Sequence, residues 1–171
     1  KISDLKACVL KRPRHDQIIK TLHEMEVNIN YITDGDIAGV LSVIGNKPKN
    51  DIYYSTGGGP EGVLAAAALS CFGGQIQGRL VLDEEEKIRA KKLGIQDFKK
   101  KYNIDDMIKG DVIFCASGVT TGDLTKGVQD LGNEFQVTTF ALHKSKKINK
   151  TITNIYNCLL YTSPSPRDRP L

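Results

Sequence analysis

Residues 51–72, DIYYSTGGGPEGVLAAAALSCF, form a β-prone stretch that passes through three consecutive glycines into an alanine-rich helix. Glycine accepts positive φ and lets backbone N–H groups approach a ligand closely, and Pro60 suits the first turn of a helix. Free N–H groups at the start of a helix attract anions. Glu61 lies among them, and a carboxylate beside phosphate oxygens is best explained by a cation between the two. The stretch therefore predicts metal-assisted phosphate chemistry.

A simpler interpretation of the same residues is an ordinary turn between a strand and a helix of an α/β sheet. In that case the glycines serve the turn and Glu61 only complements the helix dipole. The stretch lacks the lysine of the G-x-x-x-x-G-K-[ST] nucleotide motif and fits G-x-G-x-x-G only loosely. The residues of other loops are needed to distinguish the two interpretations.

The composition limits the classes of function. The chain has 171 residues, 40% of them hydrophobic, which suffices for one core of ordinary size. The net charge of +4 comes from bases scattered among nearly as many acids, and aromatics are few, so we expect no nucleic-acid binding. No run approaches the roughly 18 apolar residues of a membrane span and no signal peptide is visible, so we expect no membrane association and a cytoplasmic location. Cysteines and histidines are widely separated, so metal ligands would be oxygens.

The first part of the chain alternates between strand-like and helix-like segments. The predicted strands are residues 6–10, 28–32 and 51–55, and helices are predicted over residues 16–25 and 37–44 and after the glycines. Such alternation indicates parallel strands joined by crossover helices, and in open α/β sheets ligands collect beyond the carboxyl ends of strands. We therefore expect the three loops that follow these strands to converge on one face.

The second part of the chain is predicted to complete the sheet. Strands are expected over residues 78–82 and 112–116, and helices over residues 83–93 and 105–109. Residues 117–127, SGVTTGDLTKG, would form another strand-to-helix loop on the same face. Residues 135–143 and 147–156 alternate at period two and predict a terminal antiparallel hairpin. The expected fold is α/β, with a layered mixed sheet flanked by helices.

The last residues, 158–171, have the sequence CLLYTSPSPRDRPL and abandon this pattern for Pro, Ser and Arg. They cannot continue a strand or a helix. The run CLLYTSPSPRD resembles one reading frame of a transposon adapter used in sequencing libraries. We interpret 158–171 as a non-native tail and residues 1–157 as the domain; a genuine disordered tail is the alternative.

Two further loops carry side chains suited to a phosphorylated sugar. Residues 11–15, KRPRH, place Arg12 and Arg14 after a predicted strand, and the guanidinium fork suits phosphate oxygens, although exposed basic loops often have no specific role. Residues 33–36, TDGD, hold two aspartates that either cap the next helix, accept hydrogen bonds from sugar hydroxyls or hold a cation. Together with residues 56–59, TGGG, here called the glycine loop, they favour a small phosphorylated polyol as the ligand.

Five motifs carry a family resemblance: RPRH, DGD, GGGPEG, QGRL and SGVTTGDLTKGV. In this order they resemble the C-terminal half of the class II fructose-1,6-bisphosphatases of bacteria. The resemblance covers residues 1–157 and implies the C-terminal, substrate-side domain of the lithium-sensitive sugar and inositol phosphatase fold. It also implies an enzyme dependent on Mg²⁺ or Mn²⁺ that removes the 1-phosphate of fructose 1,6-bisphosphate in gluconeogenesis, and a homo-oligomer in the full-length protein. Some relatives also accept sedoheptulose 1,7-bisphosphate.

The same resemblance implies roles for individual residues. Glu61 would be a metal ligand and Gly58 would contact the substrate. The residues that would bind the sugar are Asp34, Gly35 and Asp36, and those that would line the substrate loop are Arg12, Pro13 and Arg14. Many relatives have Ile-Gly-Gly-Ala before Pro-Glu-Gly where this chain has TGGG, which leaves Gly58 and Glu61 in register. The family's other metal-binding carboxylates belong to its N-terminal half, so we expect the fragment alone to be inactive.

Two rival interpretations stay open. One is another metal-dependent sugar or inositol phosphatase of the same superfamily, because the loops indicate phosphate and hydroxyls more clearly than a particular sugar. The other is a non-catalytic sugar-phosphate-binding module, which needs the phosphate site but no metal at Glu61.

Overall fold

The computed structural model describes residues 1–33, 35–44, 47–122 and 124–157. Residues 158–171, which we interpret as a non-native tail, lie outside the described residues. The elements in chain order are β1 (Lys6–Leu10), α1 (Asp16–Glu24), β2 (Asn28–Ile32), α2 (Asp36–Leu41), β3 (Ile52–Tyr54), α3 (Gly59–Phe72), α4 (Glu84–Lys92), α5 (Ile104–Met107), β4 (Ile113–Ser117), β5 (Gln129–Asp130), β6 (Glu134–His143) and β7 (Ile148–Asn157).

The first three strands form a parallel sheet in the order β2-β1-β3. Because β1 lies in the middle, the chain leaves it on one side through α1 and then crosses to the other side through α2. The order of connection therefore reverses between β1 and β3. In doubly wound sheets this reversal opens a crevice beyond the carboxyl ends of the two strands, and ligands bind there.

Different helices cover the two faces of this sheet, because successive side chains of a strand point to opposite faces. The cluster beneath α1 consists of Ala7, Val9, Val27, Ile19, Leu22 and Ile29. On the other face, Cys8 is level with Tyr53 of β3. Tyr53 packs there with Val40 of α2, so α2 lies opposite α1.

The remaining strands form an antiparallel sheet centred on β6. The strand β7 pairs with β6 along its whole length, and β4 and β5 pair with different parts of the other edge. Phe114 of β4 and Leu142 of β6 are buried opposite each other, whereas Ile113 beside Phe114 is 68% exposed. One face of this sheet is therefore covered and the other is open in the described part of the chain.

Helix α3 lies between the two sheets. Ala65 and Leu69 pack with Val40 of α2, on the side of the parallel sheet. Ala68 packs with Phe114 and Leu142 of the antiparallel sheet. A helix that is apolar on opposite sides is typical of a position between two layers, which explains the run of alanines and leucines in α3. Among the described residues, none of the helices has the length and apolar character needed to cross a membrane.

Most of the predicted elements are confirmed with end shifts of a few residues: the strands and helices of the parallel sheet, α4 and the β6–β7 hairpin. The α/β class with helix-flanked sheets is confirmed as well. The parallel and antiparallel strands, however, belong to two sheets instead of one mixed sheet.

Two local predictions are wrong. Residues 78–82 make only one isolated bridge, between Gly78 and Tyr102, because no neighbouring strand extends the pairing. The segment predicted as a strand-to-helix loop, 117–127, starts at the last residue of β4 in the antiparallel sheet and leads towards β5, so that prediction is not met. The apolar strand β4 resembles a parallel strand in sequence, but its partner is the antiparallel strand β6.

Candidate functional site

The loops after β1 and β3 are joined at the crevice by the backbone of Thr56. The Nε of Arg14 donates a hydrogen bond to the carbonyl oxygen of Thr56 at 2.6 Å. The backbone N–H of Thr56 donates to Nε2 of His15 at 2.8 Å. Both polar backbone groups of one residue are thus held by two consecutive residues of the other loop. This contact places the KRPRH loop directly against the start of the glycine loop.

His15 is fully buried, with 0% of its surface exposed. Its Nδ1 lies 2.5 Å from the carbonyl oxygen of Leu10, the last residue of β1. Because that oxygen can only accept, Nδ1 carries the proton, and Nε2 is the acceptor that the Thr56 N–H requires. The edge of the ring also meets Tyr54, with the ring centroids 6.2 Å apart and the planes at 82°. The hydrogen bonds thus define one neutral tautomer.

Asp36, the first residue of α2, is held by two hydroxyl groups from the end of β3. Tyr53 donates a short hydrogen bond to Oδ1 of Asp36, and Ser55 donates to the same oxygen at 2.9 Å. Burial and the hydrogen bond to Asp36 raise the pKa of Tyr53, so its hydroxyl stays protonated and remains a donor. The other oxygen, Oδ2, is directed towards Gly57, where an added Cβ would lie 3.8 Å away. One oxygen of Asp36 is thus occupied and the other faces the glycine loop.

Gly58 lies directly under the carboxylate of Glu61. A Cβ on Gly58 would lie 2.3 Å from Oε2 of Glu61, a distance that atoms do not adopt. The φ of Gly58 is −69°, a value open to any residue. The need for glycine at position 58 therefore comes from the close approach of Glu61 and not from the backbone conformation.

Glu61 lies in the first turn of α3, and Pro60 precedes it at the helix start as expected. The side chain is exposed, and among the described residues no hydrogen bond or ion pair engages its carboxylate. The described residues contain no cluster of three His, Cys, Asp or Glu side chains that could hold a metal ion. Glu61 has the chemistry of one ligand in a metal site made of oxygen atoms, and the described residues alone do not complete such a site.

The other predicted residues lie on the same loops. Pro13 begins a short 3-10 turn, Pro13–His15, that Arg12 precedes in an extended conformation. The Arg12 guanidinium makes a long contact of 3.4 Å with the carbonyl oxygen of Lys11, so it is only loosely held. Gly35 has φ 85°, a conformation that favours glycine between the two aspartates. Asp34 lies outside the described residues.

The structure therefore brings together Arg14, Asp36 and the glycine loop through residues that sequence reasoning did not single out: Tyr53, Ser55, Thr56 and His15. A signal for two of them exists in the sequence. Tyr53 and Ser55 are two positions apart at the end of a strand, so both hydroxyls point to the same face. The signal for His15 is absent, because its partners are separated from it by 5 and 41 positions and both are backbone groups.

Comparison with known proteins addresses the identity of this arrangement. The family model described as bacterial fructose-1,6-bisphosphatase, glpX-encoded, matches residues 1–156. The chain belongs to this family. The match to the bacterial fructose-1,6-bisphosphatases spans every loop of the site and both sheets, and it stops short of the tail.

Individual relatives lie at moderate identity. The chain is 36% identical over 165 residues to a fructose-1,6-bisphosphatase class 2 of Haemophilus influenzae, covering 87% of this chain and 49% of that protein. It is 32% identical over 169 residues to a D-fructose 1,6-bisphosphatase class 2/sedoheptulose 1,7-bisphosphatase of Synechococcus sp. strain JA-3-3Ab, covering 91% of this chain and 49% of that protein. The chain thus spans about half the length of the curated relatives it matches.

Proposed function

We propose that this chain is the substrate-side half of a divalent-metal-dependent phosphatase that removes the 1-phosphate of fructose 1,6-bisphosphate. The observation that carries the proposal is the set of hydrogen bonds made by residues 53–56. These bonds connect the KRPRH loop, Asp36 and the glycine loop in one site. A guanidinium, a carboxylate whose second oxygen takes no hydrogen bond from the described residues, and a glycine-rich backbone are suited to phosphate and sugar hydroxyls. The names of the relatives support a sugar bisphosphate as the substrate.

Each group has a distinct task in this proposal. Arg12 and Arg14 bind phosphate oxygens, and Arg14 keeps its terminal nitrogens for this because only Nε is used on Thr56. Asp36 accepts a hydrogen bond from a sugar hydroxyl at Oδ2, since Oδ1 already accepts hydrogen bonds from Tyr53 and Ser55. The backbone of Gly57 and Gly58 lies against the phosphate, where a side chain would intrude.

Glu61 holds the cation in this proposal. The exposed carboxylate beside Gly58 is suited to Mg²⁺ or Mn²⁺, which prefer oxygen ligands. When bound, such a cation neutralises phosphoryl oxygens and lowers the pKa of a coordinated water. The remaining ligands come from the other half of the full-length protein, which we propose to be a cytoplasmic homo-oligomer with the lithium-sensitive phosphatase fold.

The role of Glu61 is tested in the full-length protein. Glu61→Ala should abolish phosphate release from fructose 1,6-bisphosphate with Mn²⁺ and leave the circular dichroism spectrum unchanged, since the side chain is exposed and makes no contact within the described residues that folding needs. Glu85→Ala, at an exposed position in the first turn of α4, is the matched control. Near-normal turnover of Glu61→Ala would refute the ligand role.

The incompleteness of the site is tested with the chain alone. Residues 1–157 should release no measurable phosphate from fructose 1,6-bisphosphate, because Glu61 is the only acid in the glycine loop and α3 of this chain. Hydrolysis by this fragment would show that its own residues suffice.

The substrate is tested with a panel on the full-length protein. Fructose 1,6-bisphosphate, sedoheptulose 1,7-bisphosphate and inositol monophosphate differ in the hydroxyls presented to Asp36. We expect both sugar bisphosphates to be hydrolysed, in keeping with the names of the relatives. Preference for inositol monophosphate would favour another phosphatase of the superfamily, and binding without any metal dependence or turnover would favour a binding module.

A further inference from the structure

We propose that neutral His15 is a positioning residue, which orients the backbone of the glycine loop for phosphate binding through the N–H of Thr56. His15 does not reach the surface, with 0% exposure, so it cannot touch substrate. Its effect has to pass through a neighbour, and that neighbour is Thr56, two positions before Gly58. The kinetic part of this inference rests on the proposed function, whereas its structural part does not.

The two hydrogen bonds at Thr56 fix two successive peptide planes. The bond from Thr56 N–H to His15 at 2.8 Å fixes the plane between residues 55 and 56. The bond from Arg14 to the Thr56 carbonyl oxygen at 2.6 Å fixes the next plane, which contains the N–H of Gly57. In a trans peptide the N–H points opposite to the carbonyl, so the Gly57 N–H is directed away from the Nε of Arg14. With both planes fixed, the φ and ψ angles of Thr56 cannot change freely.

Only a ring with one donor and one acceptor satisfies this position. The Leu10 carbonyl oxygen needs a donor and the Thr56 N–H needs an acceptor, and they lie on opposite sides of the imidazole. The described residues contain no buried side-chain nitrogen or oxygen without a partner, so both ring nitrogens are satisfied. A proton on Nε2 would face the Thr56 N–H, donor against donor, and would release the glycine loop.

The glycine loop needs such an anchor because glycine has the greatest backbone freedom of any residue. Three glycines in a row would otherwise sample many orientations, and a ligand would have to order them on binding. Anchoring at Thr56 removes that freedom before the phosphate arrives. Because this preorganisation acts on the bound substrate and the transition state alike, its loss should raise KM and leave kcat nearly unchanged.

A matched pair of variants separates the two hydrogen bonds of the ring. His15→Asn places its amide near the Nδ1 position, so it keeps the donor to Leu10 and loses the acceptor for Thr56. His15→Gln reaches the Nε2 position and offers an oxygen to the Thr56 N–H. In the full-length protein we expect Asn to raise KM for fructose 1,6-bisphosphate about tenfold with kcat within twofold, and Gln to recover most of the affinity.

The outcome expected for a purely structural histidine is different. In that case both variants would lower kcat through a reduced folded fraction, with KM unchanged and with losses that follow their melting temperatures. That result would overturn the proposal. Equal KM increases in Asn and Gln would also contradict it, because they would exclude the Thr56 bond as the cause.

Nitrogen-15 NMR of the 171-residue chain tests the hydrogen bonds from His15 to Leu10 and from Thr56 to His15 without any enzyme assay. The His15 ring should show a protonated Nδ1 and an unprotonated Nε2, and the Thr56 amide should exchange slowly with solvent. The opposite tautomer, or a rapidly exchanging Thr56 amide, would overturn the proposal. If NMR shows both hydrogen bonds of His15 but the full-length protein hydrolyses no sugar bisphosphate, the proposed function fails. The positioning of the glycine loop by His15 then still stands.

Discussion

The carboxylate of Glu61 lies so close to the Cα of Gly58 that a Cβ on Gly58 would approach Oε2 to 2.3 Å. The two residues are three positions apart across the start of α3, so the carboxylate is folded back over the loop that precedes its own helix. Glycine at position 58 is therefore a condition for the present orientation of Glu61. This relationship makes Gly58 a means of moving the carboxylate without changing its chemistry.

Gly58→Ala should displace Glu61 and leave the fold intact, because the obstructing atoms belong to a flexible, exposed side chain. We expect the Mn²⁺ concentration for half-maximal activity of the full-length protein to rise about tenfold, with the melting temperature within about 2 °C. The matched control is Gly59→Ala, where an added Cβ meets nothing within 4 Å. An equal effect of both alanines would argue against the displacement of Glu61.

Tyr53→Phe tests whether the hydroxyl at the end of β3 orients Asp36. The variant keeps the ring and loses one of the two donors to Oδ1, so the remaining hydroxyl of Ser55 has to hold the carboxylate alone. We expect a loss of about 1 kcal/mol in the free energy of unfolding and a several-fold higher KM for the sugar bisphosphate. Tyr54→Phe, at a residue 42% exposed, is the control and should change neither quantity.

The same tyrosine makes a prediction about alkaline pH. The folded protein holds the pKa of Tyr53 above its ordinary value of 10.0, through burial and the hydrogen bond to Asp36. The unfolded chain then loses this proton first, so the Tyr53 contribution to stability is complete below pH 10 and decreases as the pH rises further. In Tyr53→Phe the melting temperature should fall less steeply between about pH 10 and 11 than in the wild type. If the melting temperatures of the wild type and Tyr53→Phe fell in parallel over this pH range, the raised pKa of Tyr53 would be contradicted.

Two glycine substitutions should change stability in opposite directions. Gly39 of α2 is buried, and an added Cβ would lie 2.5 Å from the ring of Tyr53 and 2.8 Å from Ile32. Gly39→Ala should therefore cost about 1–3 kcal/mol and loosen the hold of Tyr53 on Asp36. Gly62→Ala, in α3 with nothing within 4 Å, should stabilise the chain by about 0.5–1 kcal/mol. Urea unfolding of both variants measures the difference, and a destabilised Gly62→Ala would show that the space at α3 is needed.

Asp111 makes a prediction about acid pH. Its carboxylate accepts hydrogen bonds from the hydroxyl and the backbone N–H of Ser145 at 2.6 Å and 3.0 Å and contacts Nε2 of His143 at 2.7 Å. The Ser145 hydroxyl, followed by His143, lowers the pKa of Asp111 far below its usual value of 3.8. The stabilisation is thus present above about pH 4 and is lost as the pH falls below it.

Asp111→Asn should accordingly lower the melting temperature at pH 7 and approach the wild type at pH 2–3. Ser145→Ala should reproduce part of this effect, since it removes the largest contribution to the lowered pKa. A constant difference between Asp111→Asn and the wild type over this pH range would assign the loss to packing instead of charge.

Sequence patterns were sufficient where the structure is local. The 3.6-residue period of α1, the acids and bases at opposite ends of α4 and the alternation in β6 and β7 each involve neighbours in the chain. The division into two sheets was not predictable in this way. A strand such as β4 has the same apolar composition whether its partner runs parallel or antiparallel, and the choice of β6 is made by tertiary packing.

The site shows the same division. The loops that carry Arg14, Asp36 and Glu61 could be predicted, because they follow strands and contain residues with distinctive chemistry. The contacts between them could not, because Thr56 contributes only backbone groups and its partners lie 41 and 42 positions away. Backbone hydrogen bonds leave almost no trace in the identity of the residue that makes them.

Helix α3 completes the cores of both sheets, through Leu69 on one side and Ala68 on the other. The α2 side of the parallel sheet and the covered face of the antiparallel sheet both lose packing without α3, so we expect a single cooperative unfolding transition of the two sheets. A cavity made in the antiparallel sheet, far along the chain at Leu142, should then increase the population in which the Glu61 end of α3 is unfolded. The antiparallel sheet carries none of the predicted site residues. Its stability nevertheless influences how often Glu61 leaves its folded position through thermal unfolding of α3.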